Sequence, residues 1–223
     1  MRMLSPADLS PIPRAEAPRD CPLCPRLVGF RHACRVEHPD WWNAPVPAFG
    51  DPGAWLAIVG LAPGKHGANR TGRPFTGDFA GDLLYATLAK FGLSEGVYDR
   101  RRDDGLALNG AIILNAVKCL PPQNKTLPVE EANCRPFLMT AIEQLPNLKT
   151  FIALGKVAHD SLCRSFGVPL ACAKFAHGAA HAFPAGRTLF DSYHCSRYNQ
   201  NTRRLDAAMF EGVFAAAMEQ RCG

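Results

Sequence analysis

Four short apolar runs constrain this chain more than any other feature, because each ends in glycine or a polar cluster and is followed by residues at helical spacing. They are residues 55–59 (WLAIV), 111–117 (AIILNAV), 150–154 (TFIAL) and 188–193 (TLFDSY). Uninterrupted apolar runs bounded by turn residues suit strands buried on both faces. Between the first two, residues 81–91 place Leu83, Leu84, Leu88 and Phe91 on one helical face. Residues 130–145 read as a second helix that Pro136 should kink or split. A third follows Gly155 through Phe166, and residues 203–220 close the chain as a fourth. This alternation predicts one three-layer α/β domain, a central parallel sheet of about four strands flanked by helices. A chain of 223 residues fits a single such domain, expected over 21–223 behind a flexible, proline-bearing arm over 1–20. Ligands in such sheets bind beyond the carboxyl ends of the strands. Three polar clusters fall there: GLAPGKHGANRTGRPFTGD, NAVKC and HCSRYNQNT. They are expected to build one site.

Composition narrows the class. Hydrophobic residues at 47% and charged residues at 20% suit a buried core and exclude a disordered tail. Twenty-five Lys and Arg against 20 Asp and Glu leave +5, a weak pointer to a polyanionic partner. No apolar run approaches the roughly 18 residues of a membrane helix, and residues 1–20 lack the apolar stretch of a signal peptide. A cytoplasmic protein without membrane contact is the expectation. Nine cysteines, an odd number in a reducing compartment, then point to metal or buried thiols over disulfides. Cys21 and Cys24 are separated by two residues, Cys119 and Cys134 by fourteen. Zinc usually draws two close pairs, whereas an iron–sulfur cubane tolerates irregular spacing. Simple burial of all nine thiols is an equally good account on spacing alone. Cys34, Cys163, Cys172, Cys195 and Cys222 show no ligand spacing and are expected to pack.

Taken together, GLAPG, HGANRTGRPFTGD, NAVKC-LPP and the late H-x-S loop resemble the iron–sulfur branch of the uracil-DNA glycosylase superfamily, most nearly its family 5. DDGL at 103–106 and PVPAFGD before the first strand add to the resemblance, which runs from about Cys21 to Leu205. It implies one α/β domain acting as a monomer on DNA, and excision of uracil, with hypoxanthine and xanthine as further substrates. It also implies that Cys21, Cys24, Cys119 and Cys134 hold a structural 4Fe–4S cluster, and that the protein associates with the nucleoid. The alternatives are a non-catalytic iron–sulfur nucleic-acid-binding protein of the same fold and a zinc-ribbon-like interaction module. One departure is Cys195, where the family's last motif has proline. A related cross-linking branch carries an inserted basic loop with a histidine; Arg100-Arg101-Arg102 has none, which argues against that branch.

The chemistry of base excision distributes roles over these residues. A flipped base needs a stacking ring, for which Phe75 is the candidate; core packing is its ordinary alternative. Reading a base edge takes an amide, and the resemblance places that role on Asn115, which could otherwise just tie two strands together. Gly60, Ala62 and Gly64 of the glycine turn are expected to line the base pocket, and the amides from Leu61 to Gly64 could donate to the base. His194 can donate where negative charge grows on the departing base. The resemblance puts Asp78 near the sugar as the catalytic carboxylate, with helix N-capping as the competing role. Lys65, Arg70, Arg73, Ser196 and Arg197 are candidate phosphate contacts, and Tyr198 or Arg197 a wedge into the base stack. For each of these a solvated surface position is the bland alternative.

Overall fold

A computed structural model describes residues 16–222. Residues 1–15 of the expected arm and the side chain of Cys222 lie outside the described residues. In chain order the elements are α1 (Pro25–Glu37), β1 (Phe49–Gly50), β2 (Leu56–Gly60), α2 (Ala68–Thr71), α3 (Phe79–Lys90), β3 (Ser94–Glu95), β4 (Ala107–Leu108) and β5 (Ala111–Asn115). There follow α4 (Pro128–Glu143), β6 (Thr150–Leu154), α5 (Lys156–Ser165), β7 (Ala180–Phe183), β8 (Arg187–Ser192), α6 (Arg197–Asn201) and α7 (Ala207–Cys222).

The predicted strands are β2, β5, β6 and β8, and they pair in parallel in the order β5-β2-β6-β8. The sheet has six strands, not about four, because β1 and β7 add antiparallel edges. Neither edge could show as an apolar run. β1 is two residues long, and β7 is exposed or half-buried except at Phe183. Successive residues of β2 point to opposite layers. Leu56 and Ile58 join Leu84 and Leu88 of α3 and Phe210 and Phe214 of α7. Ala57 and Val59 join Leu138 and Ile142 of α4 and Leu162 of α5. The three-layer expectation is met.

Three local differences have physical causes. α4 continues through Pro136 as one element, so proline removes one N–H without ending the helix. The closing helix starts at Ala207, where Asp206 Oδ1 accepts from the Met209 N–H at 2.7 Å. Ahead of it the chain forms the short α6 and turns at Arg203, whose φ is +56°. α1 escaped the sequence pattern because the residues it buries are Leu27, Arg31 and Cys34, a helical spacing filled by one aliphatic side chain. Residues 16–20 pack on the domain: Glu16 accepts from the Ala48 N–H at 2.7 Å, and Asp20 pairs with Arg35 at 2.6 Å. Among the described residues no helix is long and apolar enough to cross a membrane.

Candidate active site

A cavity of about 420 Å³ opens at the carboxyl ends of β2, β5 and β8, and Ala62, Gly64, Phe75, Asp78, Asn115 and His194 all line it. Asn115 lines it from the last pair of the β2–β5 ladder, whereas its partner Gly60, expected to line the pocket, is buried beside Asn115 and Phe75 and does not itself line the cavity. A Cβ on Gly60 would stand 2.8 Å from both Asn115 Oδ1 and Phe75 Cζ, so this position takes no side chain. Asn115 is 3% exposed, and its Oδ1 has no hydrogen-bond partner within the protein. Leaving a buried acceptor unpaired costs about 1–3 kcal/mol. At a cavity wall that cost is recovered by a ligand that donates.

Phe75 sits in a turn whose Thr76 N–H donates to the Arg73 carbonyl at 3.3 Å. Proline precedes it and its φ is +52°, the pattern of a type II turn with phenylalanine where glycine or asparagine is usual. A bulky residue held at positive φ is strained by about 1–3 kcal/mol. Its ring lies 5.8 Å from that of His194, with the planes 27° apart. The phenylalanine side chain therefore faces the cavity and also touches the core.

His194 follows β8 on a loop braced from α6. Asn199 Nδ2 donates to the His194 carbonyl at 2.8 Å and Gln200 Nε2 to the Cys195 carbonyl at 2.7 Å. Cys195 is buried, with its thiol donating to the Ala80 carbonyl at 3.4 Å; the residue that replaces proline anchors the loop to α3. Desolvation pushes the His194 pKa down to about 4. The imidazole is thus neutral at physiological pH and keeps one N–H to donate.

Asp78 has two faces. Its Oδ1 accepts from the Gly81 N–H at 3.1 Å and caps α3. Its Oδ2 lies against Gly67, where a Cβ would collide, and close to Gly64, where a Cβ would stand 3.3 Å away. Burial raises its pKa, partly offset by the Gly81 and Ala80 amides.

The phosphate candidates divide. Arg197 and Tyr198 start α6 in the open, Tyr198 at 72% exposure, with the Arg197 guanidinium 4.9 Å from the Phe79 ring centroid. Ser196 is the N-cap of α6, accepting from the Asn199 N–H at 3.3 Å. Arg70 is exposed, and Lys65 reaches Glu37 at 2.8 Å on the rim. Arg73 is a correction. It is 3% exposed, and its two terminal nitrogens each donate to Asp104 at 2.7 Å, so it has no reach to a phosphate. Sequence reading missed His66, Pro121 and Asn124, which also line the cavity. The signal was present for the last two, since PPQN follows NAVKC after the single residue Leu120.

Away from this cavity, Cys21, Cys24, Cys119 and Cys134 gather between α1, α4 and the segment after β5, around a small void also lined by Arg31 and Lys118. All are free thiols. Burial raises the pKa of Cys119 to about 11 and of Cys134 to about 12. Three groups donate to sulfur: Arg31 Nη1 to Cys119 at 3.6 Å, Asn133 Nδ2 to Cys24 at 3.7 Å, and the Lys118 N–H to Cys134 at 3.2 Å. Arg31 and Lys118 are 4% and 1% exposed; Arg31 Nε and Lys118 Nζ make no hydrogen bond, and Glu16 stands 3.6 Å from the ammonium. Two cations buried among four sulfurs fit a negatively charged occupant. Among the described residues, the one set of three ligand atoms mutually within 4.8 Å belongs to His159, His181 and Asp191. There both carboxylate oxygens already accept from imidazole, at 2.7 and 2.9 Å, which ties α5 and β7 to β8.

Residues 47–217 match the family model described as the uracil DNA glycosylase superfamily. The chain is 44% identical over 204 residues to a type-5 uracil-DNA glycosylase of Thermus thermophilus, covering 88% of this chain and 92% of that one. It is 38% identical over 208 residues to a type-5 uracil-DNA glycosylase of Pyrobaculum aerophilum, covering 91% and 90%. A type-4 uracil-DNA glycosylase of Thermotoga maritima is 39% identical over 104 residues, 46% of either chain.

Proposed function

The chain belongs to the uracil-DNA glycosylase superfamily, in its type-5 branch, and from that footing we propose that it excises uracil, hypoxanthine and xanthine from DNA after flipping the base into the cavity. The observation that carries this reading is the unpartnered Asn115 Oδ1 at the cavity floor. Deamination turns an exocyclic amine into a carbonyl and an adjacent ring nitrogen into an N–H. Uracil, hypoxanthine and xanthine therefore share one edge pattern, a C=O beside an N–H. Asn115 matches it, with Oδ1 accepting from the N–H and Nδ2 donating to the carbonyl. An undamaged cytosine or adenine edge presents the reverse order.

The bond between sugar C1′ and the base nitrogen breaks, its electron pair leaves with the base, water adds to C1′, and the base ends protonated. Neutral His194 donates to the base carbonyl that gains charge, an interaction worth about 2.7–4 kcal/mol by analogy with oxyanion-hole donors. Phe75 stacks on the base. The second oxygen of Asp78 orients water and offsets positive charge on the sugar. Arg70, Lys65, Ser196 and Arg197 contact phosphates, and Tyr198 enters the gap that the base leaves. One chain supplies all of these groups, in keeping with a monomer.

Cys21, Cys24, Cys119 and Cys134 hold a 4Fe–4S cluster in this reading, supported by the donor set and the two buried cations. When bound, the cluster cross-links the start of α1, the end of the β5 segment and α4, and it has no part in bond breaking.

The test is a panel of duplex and single-stranded oligonucleotides carrying uracil, hypoxanthine or xanthine in each pairing, followed by alkaline cleavage. Abasic sites at all three are expected, from a brown protein containing iron. A brown protein that leaves every oligonucleotide intact would make it a binding protein instead, and stoichiometric zinc without iron would overturn the cluster.

A further inference from the structure

We infer that Tyr98 and Asp104, on the excursion between α3 and β5, are positioning residues that hold Phe75 in its strained, cavity-facing conformation; the inference rests on the glycosylase reading above. Phenylalanine at φ +52° relaxes unless its surroundings over-determine it. The surroundings do so from three directions. The Tyr98 hydroxyl donates to the Phe75 carbonyl and accepts from the Gly77 N–H, each at 3.1 Å, bracketing the turn with one oxygen. The Tyr85 hydroxyl donates to the preceding Pro74 carbonyl at 2.6 Å. Arg73, the first residue of the turn, donates through Nε to Thr76 Oγ1, the last, at 2.7 Å.

Asp104 fixes that arginine. Besides two bonds from the guanidinium, it accepts from the backbone N–H groups of Asp99 at 3.0 Å and Leu106 at 3.1 Å. The carboxylate therefore folds its own loop and clamps Arg73 in one step. The guanidinium lies 5.6 Å from the Tyr85 ring centroid and 5.8 Å from that of Tyr98. Gly81 completes the frame, since a Cβ there would collide with the Phe75 carbonyl. None of these groups lines the cavity. Their common object is the backbone of a residue whose ring does, and glycine at position 75 would need none of them.

The test is a double-mutant cycle. Tyr98→Phe removes one oxygen, and Asp104→Asn removes the charge. Each is expected to slow single-turnover uracil release by about 10- to 100-fold, the range that a misplaced reacting group costs. Inhibition by free uracil should weaken in parallel, while the Kd for uracil-free duplex stays within about twofold. In a Phe75→Gly background, which loses the ring and the strain together, Tyr98→Phe should have no further effect on rate. Additive losses in that background, or an unchanged rate in Tyr98→Phe, overturn the positioning role. Should Asp104→Asn fail to fold, Tyr98→Phe carries the cycle alone. A wild-type protein that releases no base overturns the glycosylase reading and this inference with it.

Discussion

Gly60 and Asn115 close the β2–β5 ladder side by side, and a Cβ on Gly60 would stand 2.8 Å from Asn115 Oδ1. The same Cβ would stand 2.8 Å from the Phe75 ring, so one methyl group would displace both the Asn115 amide and the Phe75 ring. Gly60→Ala is expected to lower kcat/KM for uracil-containing duplex by about 100-fold, on the order of a 1 Å misplacement. Steady-state kinetics check this. Activity within twofold of wild type would mean that Asn115 and Phe75 do not contact the base.

His194 supplies a donor without needing a charge. With its pKa near 4, the log kcat/KM profile should be flat across the range where an ordinary histidine titrates and fall only toward pH 4. Stability follows from the same shift. The unfolded histidine titrates near 6.5, so between about 4 and 6.5 the unfolded chain binds more protons and stability rises with pH. Acidifying through that window removes on the order of 3 kcal/mol. Asp78, whose pKa is raised, contributes in the opposite sense above its unfolded value. Comparing urea midpoints of wild type and His194→Gln from pH 4 to 7 isolates the histidine, and equal pH slopes would refute the assignment.

Asp78 can be divided into cap and catalyst. Asn caps a helix as well as Asp does, whereas Ala forfeits about 0.5–2 kcal/mol. Asp78→Asn is therefore expected to melt near wild type yet lose at least about 100-fold in single-turnover rate. Asp78→Ala should lose both. A fully active Asp78→Asn protein would reduce the carboxylate to its capping bond with Gly81.

The parallel strands were legible because both faces of the sheet are buried: Ile58, Ile113 and Ile152 point into one layer and Ala57, Ile112 and Phe151 into the other, which leaves an unbroken apolar run in the chain. Strand ends, taken with the family resemblance, then pointed to Asn115 and His194. The edges were not legible: β7 alternates between solvent and core over four residues, and β1 is two residues long. Arg73 shows a second limit. It stands in a polar loop beside Arg70, and nothing local distinguishes them. The difference is made by Asp104, 31 residues away, whose carboxylate takes one of the two out of solvent. Phe75 was legible as a ring in a polar loop, whereas its positive φ and the tyrosines that hold it emerge only in three dimensions.

The four-cysteine centre joins α1 and α4 to the segment that runs from β5 past Pro121 and Asn124, which wall the cavity. Cys21→Ala or Cys134→Ala is expected to abolish visible absorbance, lower Tm and slow base release through that wall. Iron content, Tm and single-turnover rate are read on the same preparation. Variants that keep wild-type folding and rate would refute a structural role for the centre.

Arg70 and Arg73 offer a controlled contrast in electrostatics, since one is exposed and the other locked to Asp104. Each phosphate contact contributes about 0.9 to the slope of log K against log salt on duplex DNA. Arg70→Gln and Arg197→Gln should each lower that slope by about 1 and weaken binding to uracil-free and uracil-containing duplex alike. Arg73→Gln should leave the slope unchanged. It leaves Asp104 buried beside a neutral amide, an unpaired charge that costs about 3–5 kcal/mol. The loss should appear in Tm and in the rate of base release, with the titration over 50–200 mM salt parallel to wild type. A lowered slope in Arg73→Gln would mean that the ion pair opens to meet the DNA backbone.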